Sequence, residues 1–261
     1  MSETLLYAVN GSVATITLNR PQVLNAMDAD MIVGLRAACE QARDDTAIRA
    51  ILLRGSGAAF LAGGDIAMFH RNLPCLPAMV GKLAGDFHHA INALRSAAKP
   101  VIASVHGAVA GAGISLLAAA DMALAAAGTK FTLAYSKMAA SPDGGATWFL
   151  PRLVGYRKAL ELMLLSDTFD ADTALALGLV SRVVAVPELE AETQALARRL
   201  AEEPTIAFAE TKALINRSFE RPLEAQLAAE AQSFARCAGI ADLAEGVTAF
   251  VEKRKPRFEG R

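Results

Sequence analysis

The chain has 261 residues with 26 basic and 27 acidic side chains, a formal net charge of −1, so no global basic field draws it to nucleic acid or an anionic membrane. At 53% hydrophobic and 20% charged it can bury a substantial core, and abundant alanine with few aromatics favours packed helices over a β-sandwich. Cys39, Cys75 and Cys237 show no CxxC spacing, which argues against a disulfide framework or a zinc site, and the opening MSETLLYAVNGSV lacks the pattern of a secretory signal, so a reducing cytoplasm is expected.

In chain order, TLLYAV and SVATITL flank Asn10-Gly11 and predict a hairpin with a type I′ turn, with Ala14, Ile16 and Leu18 on one face. NRPQVLNAMD leads into a helix striped by Met31, Leu35, Cys39 and Ala42, followed by a buried strand in AIRAILLRG and a loop, SGAAFLAGGDIAMF. Val80, Leu83, Phe87, Ile91 and Leu94 predict a long helix ending before AAKP. Residues 101–120 carry no formal charge and are long enough to span a bilayer. Their Ala, Gly and Ser content, the central His106, the adjacent Asp121 and the missing aromatic anchors argue otherwise. They divide into a strand (Val101–Val105), a glycine-rich turn and a buried helix from about Gly111.

DMALAAA and KFTLAYS predict two further short strands, and beyond Pro151 the chain turns helical apart from a strand in GLVSRVVA. From Pro187 onward only helices are expected, four in number, three of them with proline at or near the start. The division is thus a βα core over residues 1–200 and a helical region over 201–261. No repeat or Gly/Ser linker interrupts it.

Two glycine-bearing turns, AGGDI at residues 62–66 and GAVAGAG at 107–113, follow predicted strands. Neither completes G-x-G-x-x-G, since Leu116 takes the third place after Gly111 and Gly113, and GISLL around Ser115 lacks the second glycine of a nucleophile elbow. They are either tight βα turns or a pair of backbone N–H donors at helix starts, able to converge on one oxygen. SPDGGATW poses a similar choice for Asp143, because Pro-Asp-Gly is a turn signal and Asp143 is also a candidate catalytic carboxylate. His88 and His89, adjacent and so on diverging helix faces, read as solvent or packing histidines.

Taken in order, AFLAGGDIAMF, KPVIASVHGAVAGAGISLLAAADMALAA, KFTLAYSKMAASPDGGATWFLPRLVG and GVTAFVEKRKPRF resemble the successive signatures of the crotonase superfamily, the enoyl-CoA hydratase/isomerase family, over about residues 5–257. The resemblance implies an α/β fold, a crotonase-like spiral of ββα turns with a C-terminal helical region that builds trimers or dimers of trimers. It also implies an acyl-CoA thioester as substrate, with coenzyme A part of that substrate, and no separate cofactor or metal. The oxyanion donors would fall on Gly64 and Ala112, with an offset to Gly111 or Gly113 open. The CoA end would lie along Leu24 and Ala26 and the backbone of Ala62 and Ile66, with Phe250 and Lys253 reaching in from a neighbouring subunit.

The two glutamates used by hydratases fall here on Ser115 and Tyr135, neither a substitute for a carboxylate base. Asp143 falls where Δ3,Δ2-enoyl-CoA isomerases and the ring-epoxide isomerase of phenylacetate degradation place an acid. The resemblance therefore implies a double-bond isomerase with Asp143 as proton shuttle. A hydratase, a hydrolase or dehalogenase on the same fold, and a non-catalytic acyl-CoA-binding homologue stay open. Asp143 is expected in an apolar pocket near Trp148 and Phe149, and Ala67, Met68, Phe69 and Leu150 are candidate pocket-lining residues.

Overall fold

A computed structural model describes residues 3–260. Among them are nine strands, β1 (Leu5–Asn10), β2 (Val13–Leu18), β3 (Ala50–Gly55), β4 (Val101–Val105), β5 (Ala108–Ala110), β6 (Met122–Ala126), β7 (Lys130–Thr132), β8 (Phe169–Asp170) and β9 (Arg182–Val184). The helices are α1 (Ala29–Asp44), α2 (Ile66–Arg71), α3 (Leu76–Ser96), α4 (Ala112–Ala118), α5 (Ala146–Val154), α6 (Tyr156–Leu165), α7 (Ala171–Ala176), α8 (Leu189–Glu202), α9 (Thr205–Ser218), α10 (Leu223–Ala238) and α11 (Ala241–Glu252).

The main sheet has the order β1-β2-β3-β4-β6-β9, antiparallel in the β1–β2 hairpin and parallel thereafter. A second sheet, β5-β7-β8, joins β5 to β7 in parallel and β7 to β8 antiparallel. This is the crotonase-like α/β arrangement. The parallel strands are covered on both faces, so AILLRG and VIASV show continuous apolar runs without alternation. Ile51, Leu53, Val101 and Ala103 belong to the larger core with α1 and α3, while Ala50, Leu52, Ile102 and Leu124 pack with Leu189, Ala197 and Leu200 of α8.

Several local expectations shift. Asn10 pairs with Val13, so the hairpin loop is Gly11-Ser12. Only Gly11 of that pair has positive φ (59°), which fits II′ chemistry, whereas I′ needs positive φ at both central residues. The glycine-rich turn after β4 contains a strand of its own, β5, because Ala108–Ala110 pairs with β7. KFTLAYS yields only three strand residues: the chain turns away at Ala134, where φ is 59°, and Tyr135 leaves the sheet. Helix α5 begins at Ala146, upstream of the proline expected to open it, and carries Pro151 inside.

Lys99 joins α1 to β4. Its buried ammonium donates to the carbonyls of Ala42 (2.9 Å) and Asp45 (2.7 Å), satisfying acceptors at the end of α1. Beyond α8, helices α9 to α11 leave Ile215, Phe219, Leu223, Phe234, Phe250 and Val251 largely exposed. No helix among the described residues is long and apolar enough to cross a membrane.

Candidate active site

One wall of the site is the VLNAM segment laid against the first glycine turn. Asn25 adopts φ 59° and is fully buried; its side-chain amide donates to the carbonyls of Ser56, Ala59 and Phe60 and its Oδ1 accepts from the Arg20 N–H. Asparagine suits this role because it tolerates the left-handed region and carries both donors and an acceptor. With Asn25 pinned, Leu24 O accepts from Ala62 N (3.0 Å), Met27 N donates to Gly63 O (2.8 Å), and Asp65 N donates to Met27 O (2.9 Å).

Arg20 locks this wall from outside. Its guanidinium reaches Asp65 Oδ2 at 3.1 Å and Asp28 Oδ2 at 3.1 Å, and it also donates to the Ala26 carbonyl. Asp65 caps α2 by accepting from Met68 N (2.9 Å). Burial works to raise its pKa, but the Met68 N–H and then Arg20 outweigh it and hold the carboxyl below the ordinary carboxylate range.

The opposite wall is the second glycine turn. Ala110 N donates to Leu61 O (2.8 Å) and Gly111 N to Thr132 O (3.0 Å), which engages Gly111 and removes it as a free donor. Ala112 is the first residue of α4, so its N–H has no intrahelical acceptor. Gly64 bridges Met27, yet that ladder uses the Gly63 carbonyl and the Asp65 amide, and the Gly64 N–H has no acceptor among the described residues. Gly113 lies tight against the core: a Cβ there would meet the Leu61 carbonyl at 2.4 Å.

Asp143 stands on a turn held from three sides. The Tyr135 hydroxyl donates to Asp143 Oδ1 at 2.6 Å, Ser115 Oγ donates to the Asp143 carbonyl at 2.8 Å, and Gly144 N donates to His88 Nε2 at 3.1 Å. As acceptor, His88 Nε2 is unprotonated. Gly144 must be glycine on two counts, since its φ is 60° and a Cβ would lie 2.3 Å from Phe87 Cε1 and 2.7 Å from Ser115 Cβ. Burial, and then the Asp143 carboxylate beside it, push the Tyr135 phenol up from its ordinary pKa.

These pieces meet around a cavity of about 590 Å³. Gly64, Ala112 and Asp143 all line it, as do Ala62 and Ile66, while Met27, Ile32, Phe69, Leu83 and Phe87 give it an apolar interior. Lys137 and Asp143 are its only formally charged lining residues. Leu24 and Ala26 run alongside through the backbone ladder without lining it, and Phe250 (86% exposed) and Lys253, at the end of α11, lie outside it.

Of the anticipated wall residues Phe69 is present, whereas Ala67, Met68 and Leu150 are not, Leu150 being fully buried in the core. The apolar partners expected for Asp143 also differ. Trp148 and Phe149 line a separate cavity with Arg95 and Arg152, both of whose guanidinium groups stack on Trp148; the Phe149 ring also lies against Gly145 of the Asp143 turn, and Phe87, rather than Trp148, packs beside Gly144. His88 is the contributor that its sequence position conceals.

Comparison with known proteins identifies the family. The enoyl-CoA hydratase/isomerase family model matches residues 8–261. A Rhodobacter capsulatus protein named "probable enoyl-CoA hydratase" is 40% identical over 99% of this chain and 98% of its own length. The 1,2-epoxyphenylacetyl-CoA isomerase of Escherichia coli is 39% identical with 100% of both chains covered. Among solved structures, an enoyl-CoA hydratase from Polaromonas sp. JS666 superposes with a TM-score of 0.93 at 32% identity, covering 98% of this chain and 99% of that one.

The raised Tyr135 pKa has a measurable consequence. A phenol favoured in its neutral form by the fold contributes stability fully present below the ordinary tyrosine pKa and lost as pH rises through the folded value. In an alkaline titration followed at the phenolate absorbance band, Tyr135 is expected to ionise well above the ordinary tyrosine range. Tyr135→Phe is expected to remove that step; the same step unchanged in the variant would contradict the placement.

Proposed function

The chain belongs to the enoyl-CoA hydratase/isomerase family, and from that premise we propose that it is an acyl-CoA isomerase that moves a double bond from the Δ3 to the Δ2 position. The observation that carries the reading is that Asp143 is the only carboxylate among the residues lining the cavity. Ser115 and Tyr135, at the places where the family's hydratases carry glutamates, are hydrogen-bonded to Asp143. Hydration needs one group to activate water and another to protonate carbon; a 1,3-proton shift needs a single group that takes and returns one proton.

In this reading the thioester oxygen accepts from the Gly64 and Ala112 N–H groups. Asp143 takes a proton from C2, the C–H electron pair passes into a dienolate whose negative charge rests on the thioester oxygen, and the same carboxyl returns the proton to C4. The two donors lower the barrier because they are aimed at charge that grows in the transition state, each worth about 3–4 kcal/mol. Coenzyme A enters and leaves as part of the substrate. Its pantetheine end would follow Leu24, Ala26, Ala62 and Ile66. Phe250 and Lys253 of a neighbouring copy would extend the site, the reading favoured by their exposure at the end of α11. That copy would belong to a homotrimer or a dimer of trimers.

The hydratase reading keeps one support, the hydratase names carried by several relatives. The two separate on product mass, since isomerisation conserves it and hydration adds one water. Asp143→Asn is expected to lower turnover of 3-enoyl-CoA by about 100-fold to 10,000-fold while acyl-CoA binding, measured by calorimetry, persists; full turnover by this variant would exclude Asp143 as the shuttle. A second substitution isolates the oxyanion donor. Ala112 is the first residue of α4, a position that tolerates proline, so Ala112→Pro removes the N–H and puts the ring Cδ in place of its hydrogen without breaking a helix hydrogen bond. It is expected to reduce kcat by about 100-fold to 1,000-fold. Wild-type kcat in a folded Ala112→Pro enzyme would move the donor elsewhere.

A further inference from the structure

Tyr135 does more than fill the place of a glutamate. We propose that Tyr135 is the positioning residue of the site: its hydroxyl occupies Oδ1 of Asp143, keeps that oxygen free of protons, and leaves Oδ2 as the atom that carries the shuttled proton. This rests on the reading of Asp143 as the proton carrier and specifies how the carboxyl is held.

The directions of the hydrogen bonds support it. Ser115 Oγ donates to the Asp143 main-chain carbonyl at 2.8 Å, so its one proton is committed. It lies 3.3 Å from the Tyr135 hydroxyl, where its oxygen can only accept. The short 2.6 Å contact therefore takes the phenol proton toward Oδ1. A proton on Oδ1 would have to point back at the Tyr135 oxygen and displace the phenol proton toward the distant serine. Oδ2 has no protein partner among the described residues, and Asp143 lines the cavity.

The donor is itself immobilised. Tyr135 is 8% exposed, its N–H donates to Leu133 O, and its carbonyl accepts from Met138 N and Ala140 N. The side chain is thus fixed from the backbone outward. The other titratable groups about the turn are His88, whose Nε2 accepts from Gly144, and Lys137 on the cavity wall. Neither hydrogen-bonds the Asp143 carboxylate. Burial keeps Tyr135 neutral and a donor over the whole range in which such an enzyme would work.

The test compares wild type, Tyr135→Phe, Asp143→Asn and a protein with 3,5-difluorotyrosine at position 135. Phenylalanine keeps the ring packing and removes the donor; the fluorinated phenol keeps the fold and is a stronger donor. The first readout is carbon NMR of aspartate-labelled, ligand-free protein, with the Asp143 carboxyl identified by its absence in Asp143→Asn. Its chemical shift is expected to move in Tyr135→Phe, and in the opposite sense with the fluorinated residue, because the hydrogen bond donated to the carboxylate is lost in the one and strengthened in the other.

The second readout is isomerisation of 3-hexenoyl-CoA. Loss of orientation in Tyr135→Phe is expected to lower kcat about 10-fold with KM within about 2-fold. A carboxyl chemical shift and a kcat unmoved in both Tyr135 variants would overturn the positioning role while leaving Asp143 as shuttle. Full turnover by Asp143→Asn would instead remove the shuttle and the positioning role with it.

Discussion

The site depends on a run of backbone hydrogen bonds that lace three distant segments together. Leu24 O to Ala62 N, Met27 N to Gly63 O, Leu61 O to Ala110 N, and Gly111 N to Thr132 O bind residues 24–27, 61–65 and 108–111 into adjacent layers. This lacing engages the amides of Ala62, Asp65, Ala110 and Gly111 and leaves those of Gly64 and Ala112 without acceptors beside the same cavity. An amide without a partner in a half-buried position is unfavourable unless a ligand supplies the acceptor. Here two of them line an apolar pocket, where a carbonyl oxygen acquiring charge would satisfy both. The Arg20 bonds to Asp65, Asp28 and the Ala26 carbonyl hold this wall and fix the direction of those amides, which apolar packing alone would not do.

Against that fixed wall the acid is placed by a turn. Two glycines at positive φ, Gly144 and Gly145, bend the chain immediately after Asp143, and the turn closes against Phe87 and Ser115. The positions that would hold two carboxylates hold a serine and a tyrosine, and both are spent on Asp143. In the proposed isomerase reading the cavity exchanges two independent acids for one acid with two supports, which would suit chemistry in which one proton leaves and returns, at the cost of a second group to activate water.

Much of this was legible before the structure, for identifiable reasons. The parallel strands announced themselves as apolar runs, and three of the four helices of residues 189–252 by their proline starts. Glycines marked both turns, and four longer segments in order carried the resemblance to the family. What escaped depends on contacts between residues far apart in sequence. The acceptor for Gly144 is His88, 56 residues away, and the carbonyls that hold Asn25 lie 31 to 35 residues on. Trp148, three residues past Gly145, faces the second cavity because α5 turns that face toward Arg95 and Arg152. Local chemistry marked Asp143; only the tertiary arrangement shows that Tyr135 and Ser115 serve it.

The most direct test of the single-acid account follows one hydrogen atom. With 3-enoyl-CoA carrying deuterium at C2, a carboxyl that takes and returns the same proton predicts 2-enoyl-CoA with part of the deuterium transferred to C4, detected by mass spectrometry and NMR, and no incorporation of solvent oxygen. No conversion of this substrate, with 2-enoyl-CoA instead hydrated to 3-hydroxyacyl-CoA bearing oxygen from labelled water, would contradict it and assign the site to hydration.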